Sequence, residues 1–316
     1  MKLHLATRKG YIQVQGAGID FEIVHQALPN EHLNSLIAFN SALYAGGRAG
    51  VFRSTDDGQS WEPLHDGLHP LLVRWLGENG ETVLAGTEPA SILALDHESW
   101  QPRPEVGELR DQHGWFLPYT PEAGCVRGFS HHGQRIYAAV EVGAALRSDD
   151  AGATWSLAKG SDGNPSFSQP QAGFIYPDVH DIAVHPSDPD RVFAATGGGL
   201  YRSTDGGAHW DEVYDCYCRA LWLDPHDPDH LIFGPADHVG ARGRLEESMD
   251  GGGTFRPASG CLDVPWPHTM PERLAQVDDA LLCVLDDGRV LIAQLGEWDW
   301  QFILPGISDV HAAIGG

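Results

Sequence analysis

Arginine is the residue to follow in this chain. Lysine and arginine together number 20 against 44 aspartates and glutamates, a formal net charge of −24, so a cation that recurs at one structural position needs a reason. Arg74, Arg127, Arg219 and Arg273 each stand near the start of a short apolar run. Aligning those runs on their apolar residues puts Asn34 or Ser35, His180 and His311 at the same position. Planar guanidinium forks suit carboxylate, sulfate or phosphate through paired hydrogen bonds. These four arginines, with His311 and His238, are therefore expected to bind a small anionic molecule. The alternative is that each arginine pairs with an internal acid such as Glu78, Asp181 or Glu272. Glu88 in Thr87-Glu88-Pro89-Ala90 and Glu141 in Val140-Glu141-Val142-Gly143 occupy matching places in neighbouring repeats. Two carboxylates facing one pocket act as acid and base or hold a cation, and His180 is a third candidate for proton transfer. As salt-bridge partners of Arg74 and Arg127 they would do neither.

The 17 histidines raise the question of a metal. His180, His311, His238 and His268 are the ones expected to approach each other, and a divalent ion is compatible with that set without being required by it. No helical H-x-x-x-H spacing supports it. Five cysteines, Cys125, Cys216, Cys218, Cys261 and Cys283, are odd in number and scattered, which argues for buried thiols and a reducing compartment over a disulfide framework. Cys216-Tyr217-Cys218 is too isolated for a zinc site. The acidic balance excludes nucleic acid and an anionic membrane surface as partners. No run of about 18 apolar residues occurs, and the N-terminal Met1–Gly10 lacks the apolar centre of a secretory signal. A cytoplasmic protein is expected.

Internal repetition supplies the elements that position these residues. Ser54-Thr-Asp56-Asp-Gly58-Gln-Ser-Trp61, Ser148-Asp-Asp150-Ala-Gly152-Ala-Thr-Trp155, Ser203-Thr-Asp205-Gly-Gly207-Ala-His-Trp210 and Ser248-Met-Asp250-Gly-Gly252-Gly-Thr-Phe255 follow the pattern S-x-D-x-G-x-(T/S)-W, with His209 in place of the hydroxyl residue once and Phe255 in place of Trp once. In such a turn the Asp accepts backbone N–H bonds, the Gly supplies a positive φ, and the aromatic residue packs between sheets. The Asp is a staple there, not a catalytic acid. The pattern resembles the Asp-box, or BNR repeat, of sialidase-like and sortilin-like propellers, including cytosolic BNR-repeat proteins labelled glycosyl hydrolase-like and seven-bladed photosystem II assembly factors. That resemblance implies a β-propeller. Sialidases of this class use an arginine triad, a Tyr–Glu pair and an Asp, but their N-terminal Arg-Ile-Pro-like motif is absent here.

Phe21, Trp61, Trp100, Trp155, Trp210, Phe255 and Trp300 mark successive repeats, with gaps of 40, 39, 55, 55, 45 and 45 residues. Seven anchors predict one all-β domain over residues 1–316, a seven-bladed propeller of four-stranded antiparallel blades. Six blades would follow if the third or seventh were miscounted. Blade 5 reads as strands Val179–His185, Arg191–Thr196, Leu200–Ser203 and His209–Tyr214. The chain begins at a second-strand position, and Ser308-Asp-Val-His311 resembles Pro177-Asp-Val-His180. Residues 307–314 are therefore expected to supply the innermost strand of blade 1 and close the ring. The candidate site residues then share the face opposite the S-x-D-x-G turns. Three long insertions, at about 103–124, 158–178 and 257–270, join them there, carrying His113, Trp115, Tyr119, Phe167, Phe174, Tyr176, Trp266 and His268. Loops of this length on a rigid scaffold form lids or binding walls. The leading expectation is a hydrolase- or lyase-type enzyme acting on a small carboxylate-bearing ligand. A non-catalytic scaffold holding a protein partner on the same face is the alternative, and a sialidase-like glycosidase the third.

Overall fold

The computed structural model describes residues 1–68, 71–121 and 123–316. Seven four-stranded antiparallel sheets stand around a central axis as the blades of a propeller. The innermost strands are Leu33–Phe39, Leu72–Glu78, Cys125–His132, Val179–His185, Tyr217–Leu223 and Pro271–Val277 for blades 2 to 7, and Val310–Gly315 for blade 1. The last pairs antiparallel with Lys2–Thr7, Leu5 opposite Ala313, so the ring closes with the two ends of the chain in one sheet, as expected. Blade 5 follows its reading closely, with strands Val179–His185, Asp188–Thr196, Gly199–Ser203 and Asp211–Tyr214.

Apolar alternation on both sheet faces creates one seam between each pair of neighbouring blades. Leu84, Ile92, Ile136, Val140 and Trp155 fill the seam between blades 3 and 4; Leu3, Leu5, Val14, Leu282 and Val310 fill the one that closes the ring. Trp100, Trp155, Trp210 and Trp300 are buried in these seams, while Phe21, Trp61 and Phe255 are half-buried. The indoles of Trp100 and Trp300 donate to the carbonyls of Leu64 and Ala258. An aromatic ring buried with its N–H satisfied adds area without a desolvation penalty.

The S-x-D-x-G turns are internally stapled. Asp150 accepts from Thr154 N–H at 2.9 Å and from Thr154 Oγ1 at 2.7 Å, while Ser148 Oγ accepts from Gly152 N–H at 2.8 Å. The same set recurs at Asp56, Asp205 and Asp250, with His209 Nδ1 taking the hydroxyl's place 2.7 Å from Asp205. Gly58 needs its missing side chain: φ is +82°, and a Cβ would fall 2.0 Å from the Tyr11 hydroxyl.

The ladder between each innermost strand and its neighbour slips by one residue near the same end, in all seven blades. The residues left out of the pairing are His311, Asn34, Arg74, Arg127, His180, Arg219 (with Ala220) and Glu272. A bulge re-aims the side chain it carries, and here the seven bulges form one ring. Asn34 is thereby selected over Ser35. Blade 7 departs from the sequence alignment by one residue: Glu272 is the bulged member, and Arg273 pairs in register with Val284.

Of the insertions, the first folds partly into a helix, Pro104–His113, which the sequence reading did not anticipate. It starts on Pro104 and ends at Gly114 with φ +67°. Its Val106, with Trp115, sinks into the seam between blades 3 and 4. The Trp115 indole donates to Gly163 O at 2.9 Å, tying the first insertion to the second.

Candidate functional site

Two neighbouring cavities open where the bulged residues meet the turns between second and third strands. The first, about 410 Å³, is lined by Arg8, Arg74, Trp75, Arg127, Arg273 and His311 among others. The second, about 760 Å³, adds Arg48, Leu71, Leu72, Glu88 and Pro89, and shares His32, Asn34, Arg74 and Tyr119 with the first.

Three of the four arginines are engaged by internal acids, so the pairing alternative holds for them. Arg74 Nε donates to Glu88 at 2.5 Å, and Thr120 Oγ1 donates to the other oxygen of Glu88 at 3.3 Å. Arg127 donates to Glu141 at 3.1 Å and reaches across the channel to Glu272. Arg219 donates to Glu272 at 2.9 Å and to the Tyr217 hydroxyl at 2.9 Å. Glu272 is thus clasped by guanidinium groups from blades 4 and 6, which is possible only because all three side chains face the axis. Burial works to raise its carboxyl, but Arg219 and Arg127 prevail and bring it down to about 2. Burial likewise opposes ionisation of Glu141, yet Arg127, His180, Arg219 and the Cys125 S–H bond hold it below the usual carboxylate range.

Arg273 differs. It has no carboxylate within ion-pair distance among the described residues. Its guanidinium stacks 3.6 Å from the centre of the Trp75 ring and donates to Asn34 O at 2.9 Å, while its Nε–H is buried without an acceptor. Burial lowers it to about 9 against the pull of Glu272 and Asp181, with Arg127 and Arg74 adding repulsion. Arg8 and Arg48 also lack side-chain ion pairs among the described residues. Between them lies His32, unmarked in the sequence reading because it sits in a short connection; its ring is 5.1 Å from that of His311. Burial, then His311, Arg48, Arg8 and Arg74, press its pKa down to about 4. His311 donates Nδ1–H to Leu33 O at 2.9 Å and is lowered as well, by burial first.

Among the candidates for proton transfer, Glu141 lines the first cavity and Glu88 the second. His180 is buried below them, with Nδ1–H on Cys218 O at 2.8 Å and Nε2 3.2 Å from Asp178. His238 does not join the group: it is exposed at the tip of a blade 6 loop, bridged to Ala241. His268 is exposed on the third insertion, so the expected gathering of four histidines does not form. The one group of donors near enough to share an ion, among the described residues, is Glu141, Asp178 and His180. Asp178 belongs to the Pro177-Asp-Val-His180 segment that marks the strand start, but nothing in that likeness singles it out as a ligand. Tyr119 rims both cavities. Phe116 and Phe167 are exposed and meet edge-to-face at 5.9 Å.

No family model matches the chain. Part of it is similar to Vacuolar protein sorting/targeting protein 10 of Sordaria macrospora, 38% identical over 106 residues, 30% of this chain and 6% of that protein. The same protein of Pyricularia oryzae is 31% identical over 103 residues, again 30% and 6%. The chain therefore matches a small fraction of the length of these curated relatives. Among solved structures it is similar to YCF48 bound to D1 peptide, with a TM-score of 0.61 at 17% identity over 92% of this chain and 89% of that one. YCF48 from Cyanidioschyzon merolae gives 0.59 at 15%, over 92% and 91%. An ancestral GH74 enzyme gives 0.59 at 14%, over 89% of this chain and 38% of that one. At these identities the likeness is one of fold, the seven-bladed propeller. No helix among the described residues is long and apolar enough to cross a membrane.

Proposed function

Taking the seven-bladed propeller as the scaffold, we propose that the chain binds a small carboxylate-bearing organic anion in the paired cavities at the channel mouth. The observation that carries this is the cationic cluster of Arg8, Arg48 and Arg273, without side-chain ion pairs among the described residues, around His32 and His311 in a chain of net charge −24. A buried guanidinium N–H without an acceptor costs free energy unless a ligand or water satisfies it. An anion spanning Arg273 and Arg8 in one cavity and Arg48 in the other would satisfy it and relieve the mutual repulsion. Arg127 and Arg219 serve this site by holding its floor. The repeated turns on the opposite face we read as Asp-boxes of purely structural use.

Proton transfer by Glu88, Glu141 or His180 is less favoured. Glu141 is held as a weakly basic carboxylate by its cationic neighbours, and Glu88 is spent on Arg74. A glycosidase needs two carboxylates flanking a sugar, whereas Glu88, Glu141 and Glu272 are each bound to arginine. Binding thus ranks ahead of hydrolase or lyase chemistry. A second reading, a peptide held on the same face, draws on exposed Phe116, Tyr119 and Phe167 beside the mouth and on the fold likeness to YCF48 bound to D1 peptide.

The test is thermal unfolding of the parent and of Arg8→Ala and Arg48→Ala against mono-, di- and tricarboxylates and against peptides with free or amidated C-termini. Stabilisation by a small acid, lost in both variants, supports the leading reading. Stabilisation by peptides alone replaces it with the second. If no carboxylate raises the unfolding temperature of the parent, the anion site is wrong.

A further inference from the structure

We propose that Glu141, Asp178 and His180 bind a divalent transition-metal ion beneath the floor of the channel mouth. Glu141 ends the second strand of blade 4, Arg135–Glu141, and His180 is the bulged residue of the innermost strand of blade 5, with Asp178 just before that strand. All three are buried, and one donor atom from each lies within 4.8 Å of the others. Such a span is short enough for one ion to bridge at bond lengths of about 2.0–2.2 Å with small adjustment.

The hydrogen bonding around the three points the same way. A carbonyl oxygen only accepts, so the 2.8 Å contact between His180 Nδ1 and Cys218 O places the ring hydrogen on Nδ1. If the ring is neutral, its Nε2 lone pair faces Asp178 Oδ2, 3.2 Å away. Two acceptors facing each other in a buried setting call for a cation between them. One imidazole nitrogen committed to a backbone carbonyl is how metal-binding histidines are oriented; the other faces Asp178 and has the Tyr217 hydroxyl at a longer 3.4 Å, a contact that an ion would displace. Asp178 is fixed in turn: its Oδ1 accepts from Val142 N–H at 3.0 Å. A Cβ on Gly197 would come within 2.3 Å of its Oδ2, so a glycine there leaves room for this carboxylate.

Charge balance agrees. Arg127 and Arg219 are engaged by Glu141 and Glu272, and the Asp178 carboxylate has no arginine partner among the described residues, only His180. One imidazole and two carboxylates suit Zn²⁺, Mn²⁺ or Fe²⁺ better than Ca²⁺ or Mg²⁺, which take oxygen ligands. Three protein ligands leave coordination positions open, and Glu141 itself lines the first cavity. The competing occupant is a proton, which would make His180 an imidazolium paired with Asp178.

The whole chain, stripped with EDTA and dialysed, is titrated with Zn²⁺, Mn²⁺ and Ca²⁺ with no organic anion present, so the outcome does not depend on the anion reading. Zn²⁺ or Mn²⁺ should bind at one equivalent and raise the unfolding temperature, and Ca²⁺ should not. His180→Gln and Asp178→Asn should weaken uptake at least 100-fold with the far-ultraviolet spectrum unchanged. Should a variant fail to fold, Co²⁺ added to the parent gives a direct reading, through visible bands of an ion bound by imidazole and carboxylate. Absence of a stoichiometric ion and of those bands means that a proton fills the place and overturns the proposal. So does one equivalent of ion that His180→Gln binds as tightly as the parent.

Discussion

Replacing Glu272 by Gln removes the one carboxylate clasped by arginines from two other blades while keeping its size. A carboxyl held at about 2 where 4.5 is ordinary is favoured as the anion by about 3 kcal/mol on folding, at about 1.4 kcal/mol per pH unit. Removing one partner of a largely buried ion pair costs about 3–5 kcal/mol, so a loss of about 3 kcal/mol is expected at neutral pH. With an unfolding entropy of about 2.1 cal/mol/K per residue, that lowers the unfolding temperature of 316 residues by about 4–5 °C. The pH dependence follows from a folded pKa below the unfolded one. The parent's advantage is complete above the unfolded value of 4.5 and is lost as pH falls towards 2, because the parent must then protonate Glu272 and the variant has nothing to protonate. Calorimetric scans of both proteins at pH 7, 5 and 3.5 measure this. In the variant Arg127 and Arg219 are left with less compensation, so citrate or sulfate should stabilise it more than the parent. A deficit within 1 °C at pH 7, or one unchanged down to pH 3.5, refutes the picture of Glu272 as the hub of the channel.

In the parent, stabilisation by a bound carboxylate should grow as pH falls from about 6.5 towards 4, between the ordinary histidine value and that of His32 in the free protein. The anion offsets the burial and the cationic neighbours that depress His32, so binding takes up a proton; His32→Gln should flatten the curve. Asp150→Ala removes two bonds from Thr154 and should cost about 1–2 kcal/mol in denaturant melts without altering carboxylate affinity. Loss of that affinity would mean the two faces are coupled. Deleting residues 310–316 strips the innermost strand from blade 1 and exposes Leu3 and Leu5; rapid proteolysis near the N-terminus is expected, and a protease-resistant product would show the ring does not need this strand.

The architecture was legible because it is repeated. Four S-x-D-x-G turns and seven spaced aromatics fix blade number, and the likeness of Ser308–His311 to Pro177–His180 predicts the closing strand, found at Val310–Gly315. The site was legible only as far as strand register. Arg74, Arg127, Arg219 and His180 fall on bulges, but apolar alignment cannot see a bulge that shifts by one residue, so Arg273 was placed where Glu272 stands. Whether an arginine is paired depends on contacts between blades far apart in sequence, such as Arg127 with Glu272, 145 residues away. His238 stands apart for another reason: its loop turns back on Ala241 and leaves it exposed, and no local pattern records that. His32 and Asp178 matter only through what surrounds them.

A residue left out of its ladder contributes no backbone pairing across the strand boundary. Its side chain is aimed at the axis while the ladder on either side of it stays intact. The seven out-of-register residues form coupled sockets around one opening: Arg127, Arg219 and Glu272 are tied to one another, so a change at one is felt at the others. A new specificity would need a handful of codon changes at these sockets, with the frame untouched. This offers a physical route by which propellers of similar frame come to serve dissimilar tasks.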